Sequence, residues 1–527
     1  MFGLFSIQFK MKERVEFIFI KIIVFISSSV LMAIEISGSR ILSPYLGNTI
    51  FVWASLISVL LAALACGYWW GGKLADRNPS YTLWGSIIAL AGMFTLIIPF
   101  LNQMAARLIM SLNIDDVIGP LFASCIIFFW PSVLLGMVSP FAIKFNMKNI
   151  LNVGNVAGKL YAISAVGNIS GTLFTAFYLI NKMKVSSIFT LLGMVLVFTS
   201  LLIFILNKNS VNYILFAIFM CISLALAIVP HSPLVEISDK EVLIFQKDSF
   251  YNHIIVSDNM VRGIRRLRFG KADQAAILLS NKESIYNCTD MLHLPVAFSE
   301  QLNDVLFIGC GGGIATRNFY FDYPGIKIDV VEIDPIVAYA SKNYFFLETS
   351  FRLNMFVEDG RRFIQKTSKK YDIVIVDAFN ANGQVPFYMV TKEFLLEISK
   401  IIRADGVVAF NIISSVYGKR GGIFLSFYRT LQSVFKNVYA FPNTIFDEKI
   451  DYERKMNIII VATKSKERLS ITELHEKMSS LVNSGRVKIF NFADYARCLL
   501  DINPAETNKA PTFSDEYAPV ELLSSIN

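Results

Sequence analysis

Apolar positions fall along this chain in three rhythms. Up to about residue 230 they come in long runs, with approximate cores at 17–37, 50–72, 81–101, 118–143, 157–181, 186–206 and 212–229. A helix needs about 20 apolar residues to cross a bilayer, so residues 1–230 are expected to form a polytopic α-helical membrane domain of about seven spans. The first run is too long for a cleaved signal peptide and lacks an Ala-x-Ala site. From 231 to 300 the runs shorten. Val242–Phe245, Tyr251–Ser257, Arg265–Gly270 and Ala275–Leu279 read as strands with turns at Asp258-Asn259 and Gly270-Lys271, a small β-domain. Thr289–Pro295 is expected to open a helix. From 301 to 527 strand-length apolar runs alternate with helical ones, the pattern of a doubly wound, Rossmann-like α/β domain.

In that third part, Asp304–Ile308 breaks into Gly309-Cys310-Gly311-Gly312-Gly313, and a helical segment follows. Ile328–Glu332, Asn354–Gly360 and Asp372–Asp377 are further strands, each ending in a carboxylate. Later elements are expected as helices around Thr391–Ile402 and Phe424–Phe435, and as strands at Gly406–Asn411, Val438–Phe441 and Asn457–Ala462. A polar tail runs from Phe513 to Glu521.

Composition sharpens the membrane reading. Hydrophobic residues make up 54% of the 527 positions, and mean hydropathy is positive. The net charge of +8 fits basic cytoplasmic loops better than nucleic-acid binding, because no basic face interleaves with aromatic residues. One set of alternate loops holds Lys10, Lys12, Arg14, Lys73, Arg77, Lys144, Lys148, Lys159 and Lys208. The other holds Arg40, Arg107, Lys182 and Lys184. This bias puts the N-terminus in the cytoplasm. Seven crossings would then leave the C-terminal domain outside, where a nucleoside is scarce. The expectation is a multi-pass cell-membrane protein whose C-terminal domain faces the cytoplasm, which requires that one run does not cross. Glu35, at membrane depth, is costly and a functional candidate, with pairing to Arg40 as the structural explanation. Gly67, Gly71 and Gly72 suit close helix packing, and Asn168 and Ser170 suit helix–helix hydrogen bonds. Six scattered cysteines without a CxxC pair, and four scattered histidines, argue against a disulfide framework or a metal site.

The candidate chemistry lies at the strand ends. Gly309, Gly311 and Gly313 allow a tight turn and close approach of a ligand. Glu332, twenty-one residues after Gly311, can accept hydrogen bonds from ribose hydroxyls. Asp359-Gly360 ends the third strand, where a carboxylate can reach an adenine amino group. Asp377 ends the fourth and faces the same crevice. A GxGxG turn with acids at successive strand ends favours a ligand of the S-adenosylmethionine type over a dinucleotide.

From Ser249 to Ala462 these features resemble the polyamine aminopropyltransferase (spermidine synthase) family. Its members carry a small β-domain before a methyltransferase-like sheet. The membrane half, the Asp377-Ala378-Phe379 loop with Val385-Pro386, and the tail Asp515–Val520 resemble a subgroup with a multi-span N-terminal domain. The resemblance implies a transferase of polyamine biosynthesis that uses decarboxylated S-adenosylmethionine as co-substrate, a small-molecule amine as acceptor, and no metal. It implies contact with membrane lipid, and the dimers and tetramers of the family leave room for a homo-oligomer. Residues carry over unevenly. The nucleoside side matches: Gly309, Gly311, Gly313, Glu332, Asp359, Gly360 and Asp377. The amine side departs. Asn252 stands where the family has Gln, beside His253, and Cys288-Thr289-Asp290 stands where it has Tyr-His-Glu. Gly312 replaces an Asp, and Asn380 occupies the position of the catalytic acid.

A diamine is dicationic at neutral pH, so its pocket needs carboxylates, and one amine must lose a proton before it attacks. Asp377 is the candidate proton acceptor or cation anchor, and Asn252, His253 and Asp290 are candidates on the substrate side. Two other readings stand beside this one. One is transfer from S-adenosylmethionine itself to a different nucleophile. The other is a membrane transporter or sensor whose soluble domain binds a nucleoside or polyamine without turnover.

Overall fold

The computed structural model describes residues 2–46, 49–112, 114, 117–147, 153–206, 210–228, 240–249, 251–270, 272–379, 385–418, 421–445, 449–520 and 523. The chain divides into two units, Met1–Leu234 and Val235–Asn527.

In the first unit, each of the seven apolar runs becomes helix. Six helices are long and apolar enough to cross a membrane: Glu16–Leu46, Ile50–Arg77, Tyr81–Ile109, Gly119–Asn146, Val153–Leu179 and Val185–Ile205. The run at 212–229 forms a shorter apolar helix, Tyr213–Leu226. Lipid supplies no hydrophobic drive between helices, so close backbone packing and internal hydrogen bonds must hold them together. Both are visible. A Cβ placed on Gly67 would lie 2.3 Å from the Val133 carbonyl, and one on Gly71 would lie 2.7 Å from the Met137 Cα. The second helix therefore sits backbone-to-backbone on the fourth. On Glu16–Leu46, the Ser28 hydroxyl lies 2.8 Å from that of Ser164, and the Ser29 hydroxyl donates to the Gly167 carbonyl at 2.9 Å. Asn168 and Ser170 do not bridge in this way: Ser170 donates to Val166 within its own helix, and Asn168 Oδ1 is buried without a hydrogen-bond partner. Lys144 pairs with Asp76 at 2.7 Å across two helix ends.

In the second unit, an antiparallel sheet comes first, ordered β1 (Glu241–Asp248), β2 (His253–Asn259), β3 (Ile264–Phe269) and β4 (Ala272–Leu278). β1 and β4 run longer than the apolar pattern alone indicates, because ion pairs tie in polar positions: Arg268 with Glu241 of β1 and Arg266 with Asp273 of β4, while Arg265 pairs with Asp258 between β3 and β2. The expected helix at Thr289–Pro295 is only the turn Cys288–Met291 followed by a 3₁₀ turn, Leu294–Ala297.

The second sheet has seven strands: β5 (Asp304–Ile308), β6 (Lys327–Glu332), β7 (Leu353–Val357), β8 (Tyr371–Val376), β9 (Ile402–Ser414), β10 (Asn437–Pro442) and β11 (Met456–Thr463). Their order is β10-β11-β9-β8-β5-β6-β7. Strands β7, β6, β5, β8 and β9 run parallel, and β11 pairs antiparallel with both of its neighbours, β9 and β10. The continuous apolar runs reflect burial on both faces, as a parallel sheet requires; β8 is buried at every position. One core packs against Phe394, Phe424 and Phe427, the other against Phe319, Leu474 and Tyr495. The order reverses between β5 and β8, which opens a crevice at their carboxyl ends.

Candidate active site

Gly309 leaves β5 at φ +93°. A Cβ there would meet the Asp377 carbonyl oxygen at 2.2 Å, so only glycine lets the turn touch the end of β8. Gly311 and Gly313 also take positive φ, and Gly313 starts the helix Ile314–Asp322. Glu332, at the end of β6, accepts the Cys310 N–H of the turn on Oε2 and the Asp334 N–H that follows its own strand on Oε1, each at 2.9 Å. Burial pushes the Glu332 carboxyl up to about 7, although these backbone donors pull it down.

Asp377 follows β8 and is half-buried in the crevice; its partial loss of hydration raises its carboxyl, while the amide of Asn411 holds it back. Asn411 Nδ2 donates to Asp377 Oδ1 at 2.9 Å, and Asn457 Nδ2 donates to Asn411 Oδ1 at 3.1 Å. Three adjacent strands, β8, β9 and β11, thus carry one polar line. The thiols of Cys288 and Cys310 lie near the same carboxylate, and burial pushes both up to about 12, so they stay neutral and unreactive.

These groups enclose a cavity of about 460 Å³. Its walls include Asn252, Gly309, Gly311, Gly312, Glu332, Gly360, Asp377, Asn411 and Asn457, with Cys288, Tyr286 and Tyr388. Asp273, Glu332 and Asp377 are its carboxylates, and no Lys, Arg or His is among the described lining residues. The interior therefore favours a cation.

Other sequence-derived candidates lie elsewhere. Asp359 caps the helix Gly360–Lys366, accepting the Arg362 N–H at 2.9 Å. It reaches the cavity only through Tyr388, whose hydroxyl lies 3.4 Å from its Oδ2. His253 is buried against Asp248 and Gln246, and it does not line the cavity. Asp290 is absent from the wall, although its neighbours Cys288 and Thr289 contribute to it; burial raises its carboxyl. Gly313 serves the turn rather than the wall. Asn380 lies outside the described residues.

Sequence reasoning passed over Asp273, Gln274, Asn411 and Asn457, all of which line the cavity. Asn411 and Asn457 carried a usable signal: each is an amide among the apolar residues of a strand, Asn411 buried at 4% exposure and Asn457 half-buried. Such a group needs a partner, and here the partners are each other and Asp377.

Residues 283–467 match the spermine/spermidine synthase domain family. Polyamine aminopropyltransferase 2 of Aquifex aeolicus is 24% identical over 446 residues, covering 81% of this chain and 85% of its own length. That share exceeds what the second unit alone can supply, so the likeness extends into the apolar helices. The polyamine aminopropyltransferase of Vibrio vulnificus is 26% identical over 232 residues, covering 43% of this chain and 71% of its own. Among solved structures, spermidine synthase of Thermotoga maritima is 17% identical, with 51% of this chain and 88% of that chain covered at a TM-score of 0.41. Residues 283–467 are thus a spermine/spermidine synthase domain, a transferase domain that this chain joins to an N-terminal set of apolar helices.

Proposed function

We propose that the chain is a membrane-anchored aminopropyltransferase whose amine side is built differently from that of its relatives. The observation that carries this reading is the cavity at the β5/β8 switch point, lined by the carboxylates of Glu332 and Asp377 and by no described basic residue, while its third carboxylate, Asp273, is paired with Arg266. Decarboxylated S-adenosylmethionine carries a sulfonium and an ammonium, and an acceptor amine adds further positive charge. A cavity of that sign binds both and disfavours anionic ligands.

The residues divide the work. The glycine turn and Glu332 hold the nucleoside, with Glu332 accepting ribose hydroxyls on the lone pairs its backbone donors leave free. Gly360 keeps the wall low, since a Cβ there would meet the Ile308 side chain at 2.5 Å. Asp377 anchors the amine and takes its proton. The amine nitrogen attacks the aminopropyl carbon next to sulfur. A C–N bond forms, the C–S bond breaks, its electron pair goes to sulfur, and methylthioadenosine leaves as a neutral thioether. Asp377 suits this task because burial raises its carboxyl, which brings its basicity closer to that of the proton donor.

The departures at Gly312, Asn252 and Cys288 support an acceptor other than the simplest diamines. They leave fewer fixed charges than a dication needs, so an acceptor of lower charge, such as a monoamine, fits better. The six long apolar helices among the described residues support a membrane location, and an even number of crossings is consistent with a transferase domain on the side of the N-terminus, the cytoplasm by the charge bias.

The test is methylthioadenosine release by the detergent-purified chain from decarboxylated S-adenosylmethionine, with a panel of amines. Release that depends on an amine is expected. Release without any amine, or tight donor binding with no release under any amine, overturns the reading.

A further inference from the structure

The amides of Asn411 and Asn457 extend the polar line at Asp377 across three strands. We propose that they form a two-amide relay that selects which oxygen of Asp377 faces the reacting amine, making both of them positioning residues. This rests on the transferase reading above, in which Asp377 takes the proton.

The argument is one of polarity. An ionised carboxylate accepts only. Asn411 must therefore turn its NH₂ toward Asp377, as it does, donating to Oδ1 at 2.9 Å. Its carbonyl oxygen then points at β11, where Asn457 donates to it at 3.1 Å. Were either amide reversed, two acceptors or two donors would face each other in a buried site, which is costly. With Asp377 ionised the line is self-consistent in this one sense. With Oδ1 engaged, Oδ2 takes no hydrogen bond among the described residues and is left for the amine. The titratable groups facing Asp377 from the other packed elements are the thiols of Cys288 and Cys310. Both remain neutral, so the relay is the tunable influence on this carboxylate.

Asn457→Asp reverses the relay. The new acceptor at 457 draws the Asn411 NH₂ toward itself and turns the Asn411 oxygen onto Asp377. Asn457→Leu removes the orienting donor without adding charge, and Asn411→Leu removes the bond itself. Asp377 titration is read on the full chain in detergent by infrared difference between each background and its Asp377→Asn counterpart, so the readout does not depend on turnover. Asn411→Leu and Asn457→Asp are expected to raise the Asp377 titration by about one pH unit or more, and Asn457→Leu to raise it less. Asn457→Gln, which keeps an amide, should restore it. The acidic limb of kcat/KM should move upward in parallel.

An unchanged titration in folded Asn411→Leu and Asn457→Leu overturns the relay. If Asn411→Leu fails to fold, the contrast between Asn457→Leu and Asn457→Gln decides: equal titrations overturn the proposal. If the titration moves while the acidic limb stays, the relay stands and Asp377 loses its role as proton acceptor.

Discussion

Cys310 N–H donates to Glu332 Oε2 at 2.9 Å, so the glycine turn and the acid at the end of β6 are already coupled. On the proposed role of Glu332, its burial makes nucleoside binding sensitive to pH near neutrality, with the Cys310 N–H opposing that shift. Ribose hydroxyls need the ionised carboxylate, and burial holds this carboxyl up at about 7. Methylthioadenosine affinity should be flat above pH 8 and weaken below pH 7, toward about tenfold per pH unit. Calorimetric titration at pH 6, 7 and 8 measures it, and equal affinities would remove Glu332 from the binding role. The same shift acts on stability with a defined sign. Between the ordinary value of 4.5 and about 7 the folded protein keeps a proton that the unfolded chain has lost. This group's contribution is therefore fully present below pH 4.5 and is lost as pH rises through 7.

Gly312 faces Ala275 of β4, and a Cβ at 312 would lie 2.7 Å from the Ala275 Cβ. The small sheet thus occupies the space that an acid at 312 would need. Gly312→Asp should destabilise the second unit by about 1–3 kcal/mol, the usual cost of overfilling a packed site. Ala275→Gly should recover part of that loss, a coupling visible in a double-mutant cycle by urea unfolding. Additive effects would show that the contact does not matter.

Arg361 ties the C-terminal tail to the site. Its guanidinium donates to both oxygens of Asp515 at 2.8 and 2.7 Å, to both of Glu397 at 2.8 and 3.0 Å, and to the Tyr388 carbonyl at 3.3 Å. Thr391 adds a bond to Asp515 at 2.7 Å. Asp515→Ala should cost about 1–2 kcal/mol, since part of this pair meets water. It should also speed proteolysis of the tail near Phe513. Asp515 is held below its ordinary 3.8, chiefly by Arg361. Its stabilisation is therefore present above that value and lost as pH falls through the lower folded value. Urea midpoints at pH 3 and 7 check the sign.

Membrane topology offers a separate check. A C-terminal tag should resist protease added to intact spheroplasts and be cut after lysis, as an even number of crossings from a cytoplasmic N-terminus requires. Cleavage in intact spheroplasts would mean that the short helix Tyr213–Leu226 also crosses.

Legibility followed the type of interaction. The helices of the first unit and strands β5, β6 and β8 stood out because each buries continuous apolar surface, and burial writes itself into local composition. Glu332 and Asp377 stood out because an acid ending an apolar strand is locally anomalous. Asn411 and Asn457 were passed over although they sit in equally apolar strands, because their meaning depends on which strands become neighbours. The helix expected at Thr289–Pro295 shrank to two short turns because Pro295 and the packing of Leu294 under the sheet outweigh local propensity.

By itself the sequence determined the succession of long apolar helices, short strands and an α/β sheet, the parallel-sheet core, and the glycine turn with acids at successive strand ends. All of these are local: apolar run length, residue period, and glycine where φ must be positive. The tertiary structure alone decided which polar side chains meet at the crevice and which are spent elsewhere. It turned Asp359 into a helix cap, paired His253 with Asp248, set Ala275 against Gly312, and drew Asn411 and Asn457 from β9 and β11 onto Asp377. Strand order brings these residues together from far apart in the chain, and no local pattern encodes it.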